Sequence, residues 1–107
     1  MAIYHKLIRD KIPEIIAAKG EKANVRTLTD QEFGPALAAK LVEEAKEAEG
    51  AIEIRTELMK EISDVLEVVD AMVTHYGLDR GEIERVKAKW QAERGGFEKK
   101  ILLESVE

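Results

Sequence analysis

The chain has 107 residues, with 17 Lys and Arg against 22 Asp and Glu, a formal net charge of -5 and no cysteine. One domain over 1–107 with a single modest core is expected from that length. Disulfides and thiolate metal sites are excluded, and the acidic balance argues against broad nucleic-acid binding, which needs a basic surface. It does not argue against a small phosphorylated ligand, because a bound metal reverses the local sign. No apolar run approaches the length that crosses a bilayer, and Met1-Ala2-Ile3-Tyr4-His5-Lys6 lacks a signal peptide's apolar segment. A soluble, cytoplasmic protein with no membrane partner is therefore expected.

In chain order, 8–19 reads as a short helix with Pro13 near its start and Gly20 as its stop. Residues 23–28 alternate weakly and are expected to form a short strand. Thr29, with Glu32 three residues later, makes a capping box for a long helix over 30–49. Gly50 marks a break before a second long helix over 52–76, which Gly77 ends. Asp79 caps a third helix reaching about residue 93, with Ile83, Val86 and Trp90 as its apolar stripe, and Gly95-Gly96 closes it. The tail over 97–104, with Ile101, Leu102 and Leu103, is expected to pair with 23–28. The fold class is all-α, an antiparallel helical bundle with that one possible two-stranded β pair. Trp90 is read as core, and His75 as a favourable charge at a helix C-terminus.

The two long helices each carry a pair of acids at i,i+3 spacing, Glu44-Ala45-Lys46-Glu47 and Glu61-Ile62-Ser63-Asp64. At about 100° per residue, Glu44 falls inside the arc of Phe33, Leu37, Leu41, Ala45 and Ala48, with Glu47 at its edge. On the second helix Glu61 falls inside a wide arc of Leu58, Ile62, Val65, Leu66, Val69, Met72, Val73 and Tyr76, with Asp64 at its margin. Glu43 and Glu67 point away from these faces. Buried like charges are costly unless neutralised. The tight break at Gly50 folds the helices antiparallel, which brings all four acids to one place. Oxygen-only ligation suits Mg²⁺, with Mn²⁺ as a substitute. A di-iron site is rejected, because it would show Glu-x-x-His on paired helices.

The pattern Glu44-x-x-Glu47, a spacer, then Glu61-x-x-Asp64 resembles the all-α nucleoside triphosphate pyrophosphohydrolases. This is the MazG-like superfamily, which includes phosphoribosyl-ATP pyrophosphohydrolase. The N-terminal run from Tyr4 to Ile16, containing Leu7-Ile8-Arg9-Asp10-Lys11-Ile12-Pro13, and the C-terminal run from Arg94 to Leu103 look like its small phosphoribosyl-ATP-pyrophosphohydrolase-like branch. The resemblance implies Mg²⁺-dependent cleavage between the α and β phosphates of a nucleoside triphosphate, in nucleotide-pool house-cleaning. Glu44, Glu47, Glu61 and Asp64 would then hold the metal, and one of them would activate the water.

Cations for the pyrophosphate half are expected from Lys6, Arg9 and Lys11 near the N-terminus and from Lys87, Lys89 and Arg94 near the last helix's end. Gly95 and Gly96 would let backbone N–H groups approach a phosphate. The competing expectations are phosphoribosyl-ATP pyrophosphohydrolysis and a non-catalytic helical interaction module. The second long helix is apolar over about half its circumference, wider than one surface stripe, so a homodimer or homotetramer is expected.

Overall fold

Turn and cap chemistry decides where each helix of this chain begins and ends. The computed structural model describes residues 4–107. It contains four helices, α1 Ile12–Ala18, α2 Asp30–Gly50, α3 Arg55–His75 and α4 Arg80–Arg94. The fold is all-α among the described residues.

The first helix starts at Ile12 rather than at residue 8. Pro13 lies in its first turn, and a proline ring clashes with the carbonyl four residues back, here that of Arg9. Gly20, at φ 79°, ends it. Next, Thr29 Oγ1 accepts the Glu32 N–H at 3.2 Å while Glu32 Oε1 accepts the Thr29 N–H at 3.0 Å, which closes the expected capping box. The Arg26 guanidinium forks onto both Glu32 oxygens at 3.0 and 2.8 Å. That fork, with the backbone N–H of Thr29, holds the Glu32 carboxyl at about 2. Residues 52–54 are not helical as expected. The Ile54 N–H turns back to the Ala51 carbonyl at 3.1 Å, so α3 begins at Arg55.

One compact unit ends at Tyr76, and α2 against α3 is its framework. The short turn at 51–54 makes the two helices antiparallel. Phe33 at the start of α2 accordingly meets His75 at the end of α3, edge to face with centroids 5.0 Å apart. A Cβ at Gly34 would overlap the Tyr76 hydroxyl, so glycine there permits the close approach. Among the described residues the buried apolar ones are Leu37, Ala51 and Val68, and Glu44 is buried as well, at 6 % exposure. The wide apolar arc expected on α3 is only partly enclosed. Leu58, Val65, Val69, Met72 and Val73 are half-buried, whereas Ile62, Leu66 and Tyr76 are exposed, as is Met59 beside the arc.

The second unit is Gly77–Glu107. Asp79 Oδ1 accepts the Gly81 N–H at 3.0 Å and so caps α4, as expected, and Gly95 at φ 84° ends it. Trp90 is not core. It stays 43 % exposed, with the Arg94 guanidinium 4.0 Å from its ring centroid. The expected β pair of 23–28 with 97–104 is also corrected, since neither segment is a strand. Val25 is exposed and the neighbouring Arg26 is committed to Glu32. In the tail, Lys100 adopts φ 57° and returns its N–H to the Phe97 carbonyl, a turn in the middle of the would-be strand.

The cap generates a prediction. Thr29→Ala should lower the unfolding free energy by about 1 kcal/mol in urea titrations. Because the folded Glu32 carboxyl is depressed to about 2 from 4.5, its contribution is present above the unfolded value and lost as pH falls toward 2. Glu32→Gln should therefore flatten the stability-pH profile between those limits. An acid limb identical to that of the parent protein would refute the role given to this carboxylate.

Candidate metal centre

Residues one turn apart on a helix share a face, and two antiparallel helices set such pairs side by side. Here Glu44 and Glu47 of α2 lie abreast of Glu61 and Asp64 of α3, and one carboxylate oxygen from each lies within 4.8 Å of all the others. Their environments differ. Glu44 is buried, Glu47 is exposed, and Glu61 and Asp64 are half-buried.

Three cations from the chain itself face this cluster. Lys40 Nζ is 3.3 Å from Glu44 Oε1, and Lys60 Nζ is 3.3 Å from Glu61 Oε1 and 3.0 Å from Asp64 Oδ2. Arg9, far away in sequence, donates to Asp64 Oδ1 at 2.8 Å. Of the other oxygens, Glu44 Oε2 and Glu61 Oε2 are buried and accept no hydrogen bond. A buried acceptor without a donor costs about 1–3 kcal/mol.

The charges tell on the acids themselves. The Glu47 carboxyl is pushed up by desolvation, by the like charges of Glu44 and Glu61, and by hydrogen bonds shared with both. Desolvation also acts upward on Asp64, but hydrogen bonds and charge from Lys60 and Arg9 outweigh it and hold that carboxyl below its ordinary range. The Lys60 ammonium is raised, chiefly by its hydrogen bonds to Asp64 and Glu61.

Such a donor set fits a hard divalent cation. All four ligands are carboxylate oxygens, two oxygens lie buried without a donor, and a span of 4.8 Å is close to the roughly 4.2 Å between opposite ligands of Mg²⁺. Glu44, Glu47, Glu61 and Asp64 could hold the ion.

The remaining expected site residues fall as follows. Arg9 touches the cluster directly and also lies 4.0 Å from Glu67. Lys6 pairs with Glu43 at 3.6 Å, and Lys11 is exposed at the start of α1. Glu43, read as a surface acid, is half-buried and also pairs with Lys40 at 3.4 Å. His75 lies in the last turn of α3, as expected, and packs between the Phe33 and Tyr76 rings. Lys87, Lys89, Arg94, Gly95 and Gly96 belong to the second unit. There Lys89 and Arg94 lie over the Trp90 ring, and a Cβ at Gly96 would crowd the Glu98 carboxylate. Lys40 and Lys60 were missed by sequence reasoning, although Lys40–Glu44 and Lys60–Asp64 carry a readable i,i+4 signal.

Comparison with known proteins adds little to this geometry. No protein-family model matches the chain, and no solved structure does. An uncharacterized protein of Mycolicibacterium smegmatis is 50% identical over 46 residues, which are 43% of this chain and 47% of that protein. The match thus spans under half of that relative's length.

If repulsion among the acids is the dominant strain here, relieving it should stabilise the metal-free fold. Glu47→Gln should raise the melting temperature in chelator and shrink the rise produced by millimolar Mg²⁺ or Mn²⁺, since a ligand that binds only the native state stabilises it. Differential scanning fluorimetry reads both. A lower melting temperature for Glu47→Gln in chelator would show that repulsion is not the governing term.

Proposed function

We propose that the chain is a Mg²⁺-dependent nucleoside triphosphate pyrophosphohydrolase of the MazG-like kind, releasing a nucleoside monophosphate and pyrophosphate. The observation that supports this reading best is the convergence of four carboxylates, with two buried oxygens left without donors. When bound, Mg²⁺ would neutralise phosphoryl charge and lower the pKa of a water.

The chain's own residues take distinct parts. Glu44, Glu47, Glu61 and Asp64 serve as ligands. Glu47 is the most exposed of the four and its carboxyl is raised, and we assign it, in addition, to orient the attacking water and take its proton. Arg9 stands at the rim of the cluster on Asp64 Oδ1, where its planar fork suits a phosphate oxygen pair. Lys6 and Lys11, on the same N-terminal segment, add positive charge for the pyrophosphate half.

Assembly is part of the same proposal. Met59, Ile62 and Leu66 share one face of α3 and are 63%, 47% and 58% exposed. A 107-residue chain whose buried apolar set is so small needs a cover for that face. We propose a second copy in a two-fold contact, the commonest arrangement.

Two measurements test these readings. Incubation of nucleoside triphosphates with protein and Mg²⁺ should give monophosphate and pyrophosphate, and Glu61→Gln or Asp64→Asn should reduce kcat by about a hundredfold or more at unchanged helix content. Orthophosphate with a diphosphate as first products would sink the assignment. Phosphoribosyl-ATP as the preferred substrate would move the protein to that activity, and no pyrophosphate from any nucleotide would favour a non-catalytic module. Light scattering at micromolar concentration should give at least twice the chain mass, and Leu66→Lys should shift it toward the monomer.

A further inference from the structure

Within the acid cluster, Lys60 differs from the other two cations in what it touches and how it is held. Both of its ion-pair partners, Glu61 at 3.3 Å and Asp64 at 3.0 Å, are members of the cluster. Arg9 reaches outside the cluster to Glu67, and Lys40 to Glu43. The Lys60 side chain is 67% exposed, against 16% for that of Lys40, so its ammonium can pass into water without having to leave a buried position. Helix stability does not account for the pair. A lysine four residues before an acid is the less favourable order on a helix, and an exposed pair of this kind contributes little.

Both Asp64 oxygens are engaged, Oδ1 by Arg9 and Oδ2 by Lys60. A divalent cation among these four acids would therefore meet an ammonium already in contact with two of them. We infer that Lys60 is the resident counter-ion of the centre: it occupies Glu61 and Asp64 in the metal-free protein, leaves them when a divalent cation is taken up, and so sets metal affinity. This rests on the metal reading above, and adds to it a residue that is neither ligand nor predicted phosphate contact. Lys60 keeps the centre from accumulating uncompensated negative charge, at the expense of weaker metal binding.

The test is calorimetric titration of Mn²⁺ alone into the full chain, without nucleotide. Lys60→Met keeps most of the side chain's bulk and removes its charge, and should tighten the Mn²⁺ Kd about five- to tenfold, as expected for deleting one partly screened charge near the ion. Lys60→Arg should stay near the parent Kd. Lys22→Met, the same charge change at an exposed position between α1 and α2, should leave the Kd unchanged. In chelator, Lys60→Met should also melt lower than the parent, because two acids lose their counter-ion. Parent-like Mn²⁺ binding by Lys60→Met would overturn the inference while leaving the metal reading intact. Equal tightening by Lys22→Met would overturn it in favour of a bulk charge effect. Absence of Mn²⁺ heat in the parent and every variant would overturn the metal reading and this inference with it.

Discussion

The constraint on which the structure turns is that four carboxylates must share one small volume, one of them inside the apolar core. At separations up to 4.8 Å, each pair of ionised groups repels by about 1 kcal/mol in water and about 3.5 kcal/mol at the effective dielectric of a protein boundary. For a chain whose net stability is expected at only about 5–15 kcal/mol, that is a large burden. The surrounding residues answer it. Lys40, Lys60 and Arg9 each bring a positive charge to the cluster, and Glu47 retains its proton to higher pH than an ordinary carboxyl. Even so, two oxygens go without donors. A protein selected for stability alone would have placed leucines there, because well-packed apolar residues commonly match or better a buried ionic group.

The cluster exists only if α2 and α3 keep their register, and that register is fixed at both ends. At one end the turn at 51–54 is closed by the Ile54 N–H on the Ala51 carbonyl, with Ala51 itself buried. At the other, Tyr76 fits against Gly34 where no side chain intervenes, and His75 stands edge-on to Phe33. A slip by one helical turn, about 5.4 Å, would separate the pairs by more than the present spread of the four oxygens. The positions that fix the site therefore lie away from it, at the two ends of the helix pair. Arg9 adds a third tie, joining the segment before α1 to α3 across 55 residues of sequence.

These features were legible in the sequence to different degrees. The paired acids, the capping box at Thr29 and the stops at Gly20, Gly77 and Gly95 are local signals whose chemistry acts within four residues, and each appears in the structure. The start of α1 was misplaced because apolar residues upstream of Pro13 outweighed the clash that the proline imposes on Arg9. The β pair was misjudged because alternation over six residues carries no information about a partner, and Lys100 turns the tail regardless of its apolar content. His75 illustrates a different limit. Its place in the last turn of α3 was legible, but its ring neighbour Phe33 is 42 residues away and visible only after folding.

The placement of α3 joins the site to the surface left open beside it. At about 100° per residue, Glu61, Val65, Val68 and Met72 fall within an arc of about 60°, and Met59, Ile62 and Leu66 within another, the two centres about 120° apart. The structure buries or half-buries the first set and exposes the second. A helix rotated to bury the middle of its apolar arc would instead have carried Glu61 toward the edge of the contact with α2, away from Glu44. Turning Glu61 inward has the opposite effect, since it moves the far half of the arc out of the core. Over the first half of α3, the acidic centre and the uncovered face of Met59, Ile62 and Leu66 are thus two results of one rotation.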